Sequence, residues 1–336
     1  LSPCHRPGLH WPHPYSRRKK ALTMRVAQYS RYGPPDVINI VSAPDPGPPG
    51  PHEVLVQVVA AGLNPADSKM RRGQLPLTDL PARMGREFGG VAIEVGSEVT
   101  SIQVGQQVLG TGQGVMADLV VVHEDLVMPK PDGITIDHAA VLPVAAQTAW
   151  VAVESQNVQP EEVVVVSAAA GGVGNVMCQL LRDKGAFVIG TASPLNHEKI
   201  AAMRVGVVDY HGHLAKNIEK MAPKGLHHVF DNSGGATIEA ALELGVPREN
   251  INSISGDGPK YGVPTVGRVG LDKAVITALA QRIAEGSLII PILTQPFDEI
   301  RKAYIDMEEV RTYGKNVVRM DNTIADMPDF PPRGDR

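Results

Sequence analysis

Val163-Val164-Val165-Val166-Ser167-Ala168-Ala169-Ala170-Gly171-Gly172-Val173-Gly174 is the stretch whose reading decides the fold. Four valines in a row, with no helical amphipathic period, suit a strand buried on both faces of a parallel sheet. After Gly174 the chain runs Asn175-Val176-Met177-Cys178-Gln179-Leu180-Leu181-Arg182-Asp183-Lys184, good helix formers with basic residues near the end and Gly185 as a stop. The whole therefore reads as strand, tight turn and helix, with Gly171, Gly172 and Gly174 at the helix N-terminus. Unpaired N–H groups and the positive end of the helix dipole can hold a phosphate there, provided no side chain blocks the approach. A dinucleotide pyrophosphate meets that description. The strict G-x-G-x-x-G fingerprint is absent, since only Gly174 completes its spacing, so the context has to carry the argument.

That context is a second short strand, Phe187-Val188-Ile189-Gly190-Thr191, at the distance a βαβ unit requires. An adenine ribose would lie at its end, beside Ala192, Ser193 and Pro194. A site for NAD normally places Asp or Glu here to bind the ribose 2′-hydroxyl, and that carboxylate would repel a 2′-phosphate. No acid stands here; Ser193 and Asn196 can donate hydrogen bonds, and Lys199, with His197 nearby, adds positive charge. The expected cofactor is NADPH rather than NADH. Lys199 also reads as an ordinary solvated helix lysine.

The 336 residues suggest two domains and two cores. With 43% hydrophobic residues, 20% charged and a net charge of −4, the chain has neither the basic excess of a nucleic-acid binder nor an apolar run long enough to span a membrane. Its two cysteines, Cys4 and Cys178, allow no disulfide framework, and a reducing cytoplasm is the expected setting. Residues 1–23, rich in Pro, His and Arg and free of acids, read as a disordered extension, with Met24 as the start of the folded protein. Residues 321–336, carrying Pro328, Pro331 and Pro332, read as a disordered tail.

From Met24 to about Leu142 the signals are short strands and turns, including Val54–Val59 and Leu119–Val122. Beyond Asp137 strands alternate with helices: Val163–Ser167, Phe187–Thr191, His228–Asp231 and Ile251–Ser255 imply a doubly wound parallel sheet. Leu288-Ile289-Ile290 and Asn316–Arg319 then read as strands around a helix from about Asp298 to Val310.

Four segments taken together carry a family resemblance: Ala61-Gly62-Leu63-Asn64-Pro65-Ala66-Asp67-Ser68-Lys69-Met70-Arg71-Arg72-Gly73; Gly85-Arg86-Glu87-Phe88-Gly89-Gly90 with Val95-Gly96; Leu142-Pro143 through Thr148-Ala149-Trp150; and the Ala168–Gly174 turn. Along nearly all of Met24 to Met320 the chain resembles the zinc-independent quinone oxidoreductase branch of the medium-chain dehydrogenase/reductases, with zeta-crystallin, alkenal reductases and acyl-thioester enoyl reductases. The resemblance implies an α/β protein: a GroES-like, mainly β catalytic domain over 24–147, a Rossmann NADPH-binding domain over 148–285, and a return to the catalytic domain over 286–320. It also implies a cleft between the domains and a homodimer. Zinc-dependent relatives need Cys or His at the positions of Asn64 and Arg86, and a four-cysteine lobe for a structural ion, so a metal-free protein is expected.

Without a Lewis acid, hydride removal from an unactivated alcohol is difficult, whereas hydride addition to an electron-poor acceptor needs only a few donors at the oxygen. Reduction of a quinone or an α,β-unsaturated carbonyl compound is the expected reaction. The resemblance implies Asn64 and Thr148 beside the nicotinamide; Asn64 also reads as a turn residue before Pro65, and Thr148 as a core cap. Lys69, in an Asp-x-Lys pattern like that of the alkenal reductases, is a candidate to stabilise an enolate or donate a proton, or is simply exposed. The tyrosine donor of some enoyl-thioester reductases is missing after Gly73, which makes that activity the alternative. A non-catalytic NADPH-binding adaptor is the other. For the cofactor, the resemblance implies Ala170, Gly171, Gly172 and Val173 at the pyrophosphate, Ser193 and Lys199 at the 2′-phosphate, Tyr210 near the adenine ribose, Ser255 and Gly256 at the carboxamide, and Lys315 in the closing Gly-Lys strand. Asp209-Tyr210 suits a plain strand end equally well.

Overall fold

The computed structural model describes residues 23–75, 79–309 and 312–320. The expected terminal tail, Cys4 and all but the last residue of the expected extension lie outside them. Thr23 belongs to the fold: it opens strand β1 (Thr23–Tyr29), which pairs with β2 (Asn39–Pro44) along a register starting Thr23 to Pro44.

The larger sheet is built from β3 (Glu53–Gly62), β5 (Glu87–Val95), β6 (Gln107–Thr111), β7 (Leu119–His123) and β8 (Val127–Pro129), while the short β4 (Ala82–Arg83) joins β1 instead. The chain returns to this sheet at its end, where β14 (Ile292–Pro296) pairs in parallel with β15 (Lys315–Arg319) and β15 pairs antiparallel with β3. Leu288–Ile290, expected as a strand, is not one. The N–H of Ile289 donates to Gln179 Oε1 and its carbonyl accepts from Gln179 Nε2, so a side chain from the preceding domain has taken the groups a ladder would use.

Between these segments lies the parallel sheet, ordered β11 (Gly206–Asp209), β10 (Phe187–Ala192), β9 (Val163–Val166), β12 (His228–Asp231) and β13 (Ile251–Ser253). β9 is central because Val164, Val165 and Val166 expose nothing and can be covered on both faces. Strand order reverses between β9 and β12, and at such a switch point the carboxyl ends of the strands leave a crevice for a ligand. The Ala168–Gly174 turn opens into it.

One hydrophobic core holds the two sheets in fixed relation, running from Val59, Ala60 and Leu109 through Leu142 and Ala149 to Val164, Val166 and Val188. Its bridge is a wide π-type turn at Leu142–Ala146 leading into the helix Gln147–Glu154. π turns recur at functional sites, and this one aims the N–H of Val144 at the carboxylate of Glu87, 2.8 Å away.

Candidate active site

The glycine turn is shaped by contacts that leave no room for side chains. Ala168 takes the left-handed conformation at φ 48°, and its carbonyl accepts from the N–H of Gly171 at 2.9 Å. A Cβ on Gly174 would stand 2.3 Å from that same carbonyl oxygen, so glycine is required where helix and turn touch. Gly171 caps the helix Gly172–Asp183 and, among the described residues, no side chain caps its first turn. The carbonyl of Ala170 accepts from the N–H of Gly314, which pins the turn to the start of β15. A bare helix start beside a glycine pair fits a pyrophosphate. Gly172 and Val173 would offer it backbone N–H groups, with Ala170 and Gly171, whose own N–H is spent on the Ala168 carbonyl, shaping the turn behind them.

Across the crevice floor, Asp231 ties three strands together. Its Oδ1 accepts from Ser167 Oγ (3.1 Å) and the N–H groups of Ser233 and Gly234, while Oδ2 accepts from Ser253 Oγ (2.7 Å) and Ser255 Oγ (2.8 Å). Hydrogen bonds to an ionised acceptor are the strong ones, so this fully buried carboxylate fixes the carboxyl ends of β9, β12 and β13. Ser255 and Gly256 are presented by that knot.

On the facing sheet the sequence Asn64-Pro65 turns β3 into the helix Pro65–Arg71. Asn64 is buried and both ends of its amide are occupied: Nδ2 donates to Glu87 Oε1 at 2.9 Å, and Oδ1 accepts from Lys315 Nζ at 2.8 Å. The Lys315 ammonium also donates to Glu87 Oε1 (2.7 Å) and to the carbonyl of Leu63 (2.7 Å). All three ammonium donors point into the catalytic domain, and what reaches the glycine turn is the stem: a Cβ on Gly172 would meet Lys315 Cδ at 2.3 Å. A lysine buried this deeply must spend its protons on fixed acceptors, and Glu87 is the charge that permits it.

Asp67, one turn along, accepts from the N–H of Asn64 (3.0 Å) and from the hydroxyl of the buried Tyr304 (3.2 Å). Burial pushes its carboxyl up to about 6, against the opposing pull of the Asn64 N–H and the charges of Lys315 and Arg86. A carboxyl whose folded pKa is raised favours folding while protonated, and that advantage is lost as pH rises through the folded value. Relative to Asp67→Asn, the wild type is expected to lose on the order of 3 kcal/mol between pH 4 and pH 7. Paired urea titrations across that range check it. Parallel profiles for the two proteins would show that Asp67 ionises there without cost.

At the adenosine end, Ser193 is half-buried and caps the short turn Pro194–Asn196. Asn196, expected as a hydrogen-bond donor, is buried, and among the described residues its Nδ2 has no partner. Lys199 is exposed, with Nζ 5.3 Å from the ring centroid of Tyr313, within cation–π range. Tyr210 is exposed and lies on the His211 ring at 4.3 Å.

Lys69 closes the cleft. Its ammonium donates to the carbonyl of Ser255, joining the helix Pro65–Arg71 to the end of the parallel sheet. Thr148 is half-buried at the start of its helix, its Cγ2 3.7 Å from where a Cβ of Gly267 would lie. Beside Gly267 is Arg268, half-buried and bonded to the carbonyl of Gly270. Sequence reasoning missed Asp231, Arg268 and the role of Glu87. The available signals were a carboxylate ending an apolar strand (His228-Val229-Phe230-Asp231) and another opening one (Glu87-Phe88). Among the described residues no three His, Cys, Asp or Glu side chains converge as a metal site would require, and no helix is long and apolar enough to cross a membrane.

A GroES-like sheet facing a Rossmann sheet, with a bare glycine turn between them, defines an oxidoreductase of the medium-chain dehydrogenase/reductase class, which works with a nicotinamide cofactor on a small molecule. Residues 50–132 match the family model of the alcohol dehydrogenase GroES-like domain. The chain is 31% identical over 320 residues to a quinone oxidoreductase of Pseudomonas aeruginosa, covering 87% of this chain and 98% of that one. It is 28% identical over 318 residues to 2-methylene-furan-3-one reductase of Solanum lycopersicum, covering 88% and 79%. Its fold superposes on that of Escherichia coli quinone oxidoreductase complexed with NADPH with a TM-score of 0.78, at 23% identity, over 88% of this chain and 99% of that one. The chain belongs to the quinone oxidoreductase family, the zinc-independent branch of that class.

Proposed function

We propose that this protein is an NADPH-dependent reductase that delivers hydride to a quinone or an α,β-unsaturated carbonyl compound. The observation that carries the reading is the uncapped glycine turn at Gly171–Gly174, linked to Asn64 through Lys315, with Lys69 reaching Ser255 at the end of the parallel sheet. NADPH, when bound, supplies the hydride. The preference over NADH rests on the acid-free end of β10, with Ser193 and the exposed Lys199 as partners of the 2′-phosphate and Tyr210 beside the ribose.

The chain's own residues supply position and charge. Asn64 orients, because Glu87 and Lys315 hold its amide at both ends. Lys69 is the donor: exchanging the carbonyl of Ser255 for an acceptor oxygen would place its charge where an enolate or hydroquinone anion develops. Thr148 forms the wall beneath the nicotinamide, and Ser255 and Gly256 line the carboxamide side. The homodimer and the cytoplasmic setting are carried by the resemblance and by cysteine usage.

Lys69→Met is expected to lower kcat/KM for the best acceptor about 100-fold, the loss of one oxyanion donor, while leaving NADPH affinity unchanged. A panel of quinones, alkenals and enoyl thioesters with NADPH and NADH makes the measurement. Unchanged rates in the variant would remove Lys69 from the reaction. Equal affinity for the two cofactors would remove Ser193 and Lys199 from a 2′-phosphate site, and NADPH binding without any acceptor-dependent consumption would favour the adaptor reading.

A further inference from the structure

Beside the helix Pro65–Arg71 lies a cavity of about 220 Å³ lined by Tyr29, Met70 and Met84 together with Arg83, Arg86 and Gln113. Arg86 is half-buried at the head of β5, and its Nη1 lies 3.5 Å from Met70 Sδ. Among the described residues neither Arg83 nor Arg86 has a carboxylate within ion-pair distance, in contrast to Arg25, Arg71, Arg72, Arg182, Arg282 and Arg319. Arg268, bonded to the carbonyl of Gly270, stands outside the cavity lining. Burial lowers its pKa, with the charge of Glu87 acting against that and the charge of Arg86 with it.

The carboxylates close by are already engaged. Glu87 has Oε1 on Asn64 and Lys315 and Oε2 on the N–H of Val144. Asp67 also lines the cavity, and it is held by the Asn64 N–H and the Tyr304 hydroxyl. Two guanidiniums, those of Arg83 and Arg86, thus line a cavity that offers one carboxylate. Arginine cannot relieve such crowding by losing its proton, and its planar fork matches a carboxylate with two parallel hydrogen bonds. The volume falls below the roughly 300–1,000 Å³ typical of sites for drug-sized ligands, so the ligand is a small one with a short apolar body.

Resting on the reductase reading above, we infer that the acceptor is a small enone or quinone bearing a carboxylate, and that Arg83 and Arg86 hold this acid group at the cavity wall. The apolar body then lies against Met70 and Met84, and the electron-poor carbons face the cleft.

Calorimetric titration with 3-benzoylpropionate, which has no double bond to reduce, and with its methyl ester tests the site without turnover. The acid is expected to bind about tenfold or more tightly than the ester at low ionic strength, the equivalent of one or two charge-assisted hydrogen bonds. Arg86→Met and, separately, Arg83→Met should each narrow that preference; Arg83 is exposed, so its variant keeps the test open if the other fails to fold. Equal binding of acid and ester, or a preference unchanged in both variants, overturns the inference. Rates with 3-benzoylacrylate and its methyl ester separate the two claims. If both are reduced with NADPH but no preference for the acid exists, the reductase reading stands and the carboxylate site falls. If the acid is bound preferentially and neither compound is reduced, the site stands and the reductase reading falls.

Discussion

Gly174→Ala is expected to abolish useful cofactor binding while leaving a folded but weakened protein. The added Cβ would lie 2.3 Å from the carbonyl oxygen of Ala168, 2.9 Å from its carbonyl carbon and 3.0 Å from Cα of Ala169, all backbone atoms that cannot rotate away. Helix and turn must separate by on the order of 1 Å, and a displacement of that size at a binding constellation costs on the order of 100-fold. Stability should fall by about 1–3 kcal/mol, the usual cost of forcing a methyl into a packed site. Gly171→Ala is the control for stability: its Cβ would meet only the Ala168 oxygen, at 3.3 Å, and its φ of −79° is open to any residue. Urea titration and NADPH fluorescence titration of both variants make the measurement. A Gly174→Ala protein that binds NADPH as wild type does would show that the turn is not the pyrophosphate site.

Lys315→Met should be the most destabilising single change in the catalytic half. Methionine keeps the stem over Gly172 and removes the ammonium, which leaves Glu87 fully buried with only Asn64 Nδ2 and the Val144 N–H to satisfy its charge. Breaking a buried pair from one side costs about 3–5 kcal/mol, whereas removing both charges is often close to neutral. The double variant Glu87→Gln with Lys315→Met should therefore recover most of the loss. Urea unfolding of the two single variants and the double variant reads the coupling. A loss below about 1 kcal/mol in Lys315→Met would mean that the pair is solvated and does not hold β15 to β3.

Both predictions concern residues whose importance was legible to different degrees in the sequence. The glycine turn was readable because its cause is local: a β-branched run, small residues and a helix start are adjacent in the chain. The strand at Leu288–Ile290 misled for the opposite reason, since an apolar triplet looks the same whether its backbone pairs with a strand or, as here, with the side chain of Gln179. Asp231 and Glu87 carry the two sides of the cleft, and neither is marked by spacing. Their partners Ser167, Ser253, Lys315 and Val144 arrive from segments far away in the chain, so only the folded topology brings them together. Lys315 shows a finer limit. Its place in a Gly-Lys strand was readable, but the direction of its ammonium depends on which of two neighbouring sheets offers a buried carboxylate.

The central claim is that hydride passes across this cleft from the glycine-turn side to an acceptor held on the Asn64 and Lys69 side. NADPH with both hydrogens of the nicotinamide C4 replaced by deuterium and an enone acceptor test it most directly, with the product examined by mass spectrometry and NMR. Direct transfer predicts one deuterium at the β-carbon of the reduced product, at a rate that falls in Lys69→Met and vanishes in Gly174→Ala. A product that carries no deuterium, or cofactor oxidation at the same rate with and without acceptor, would contradict the account.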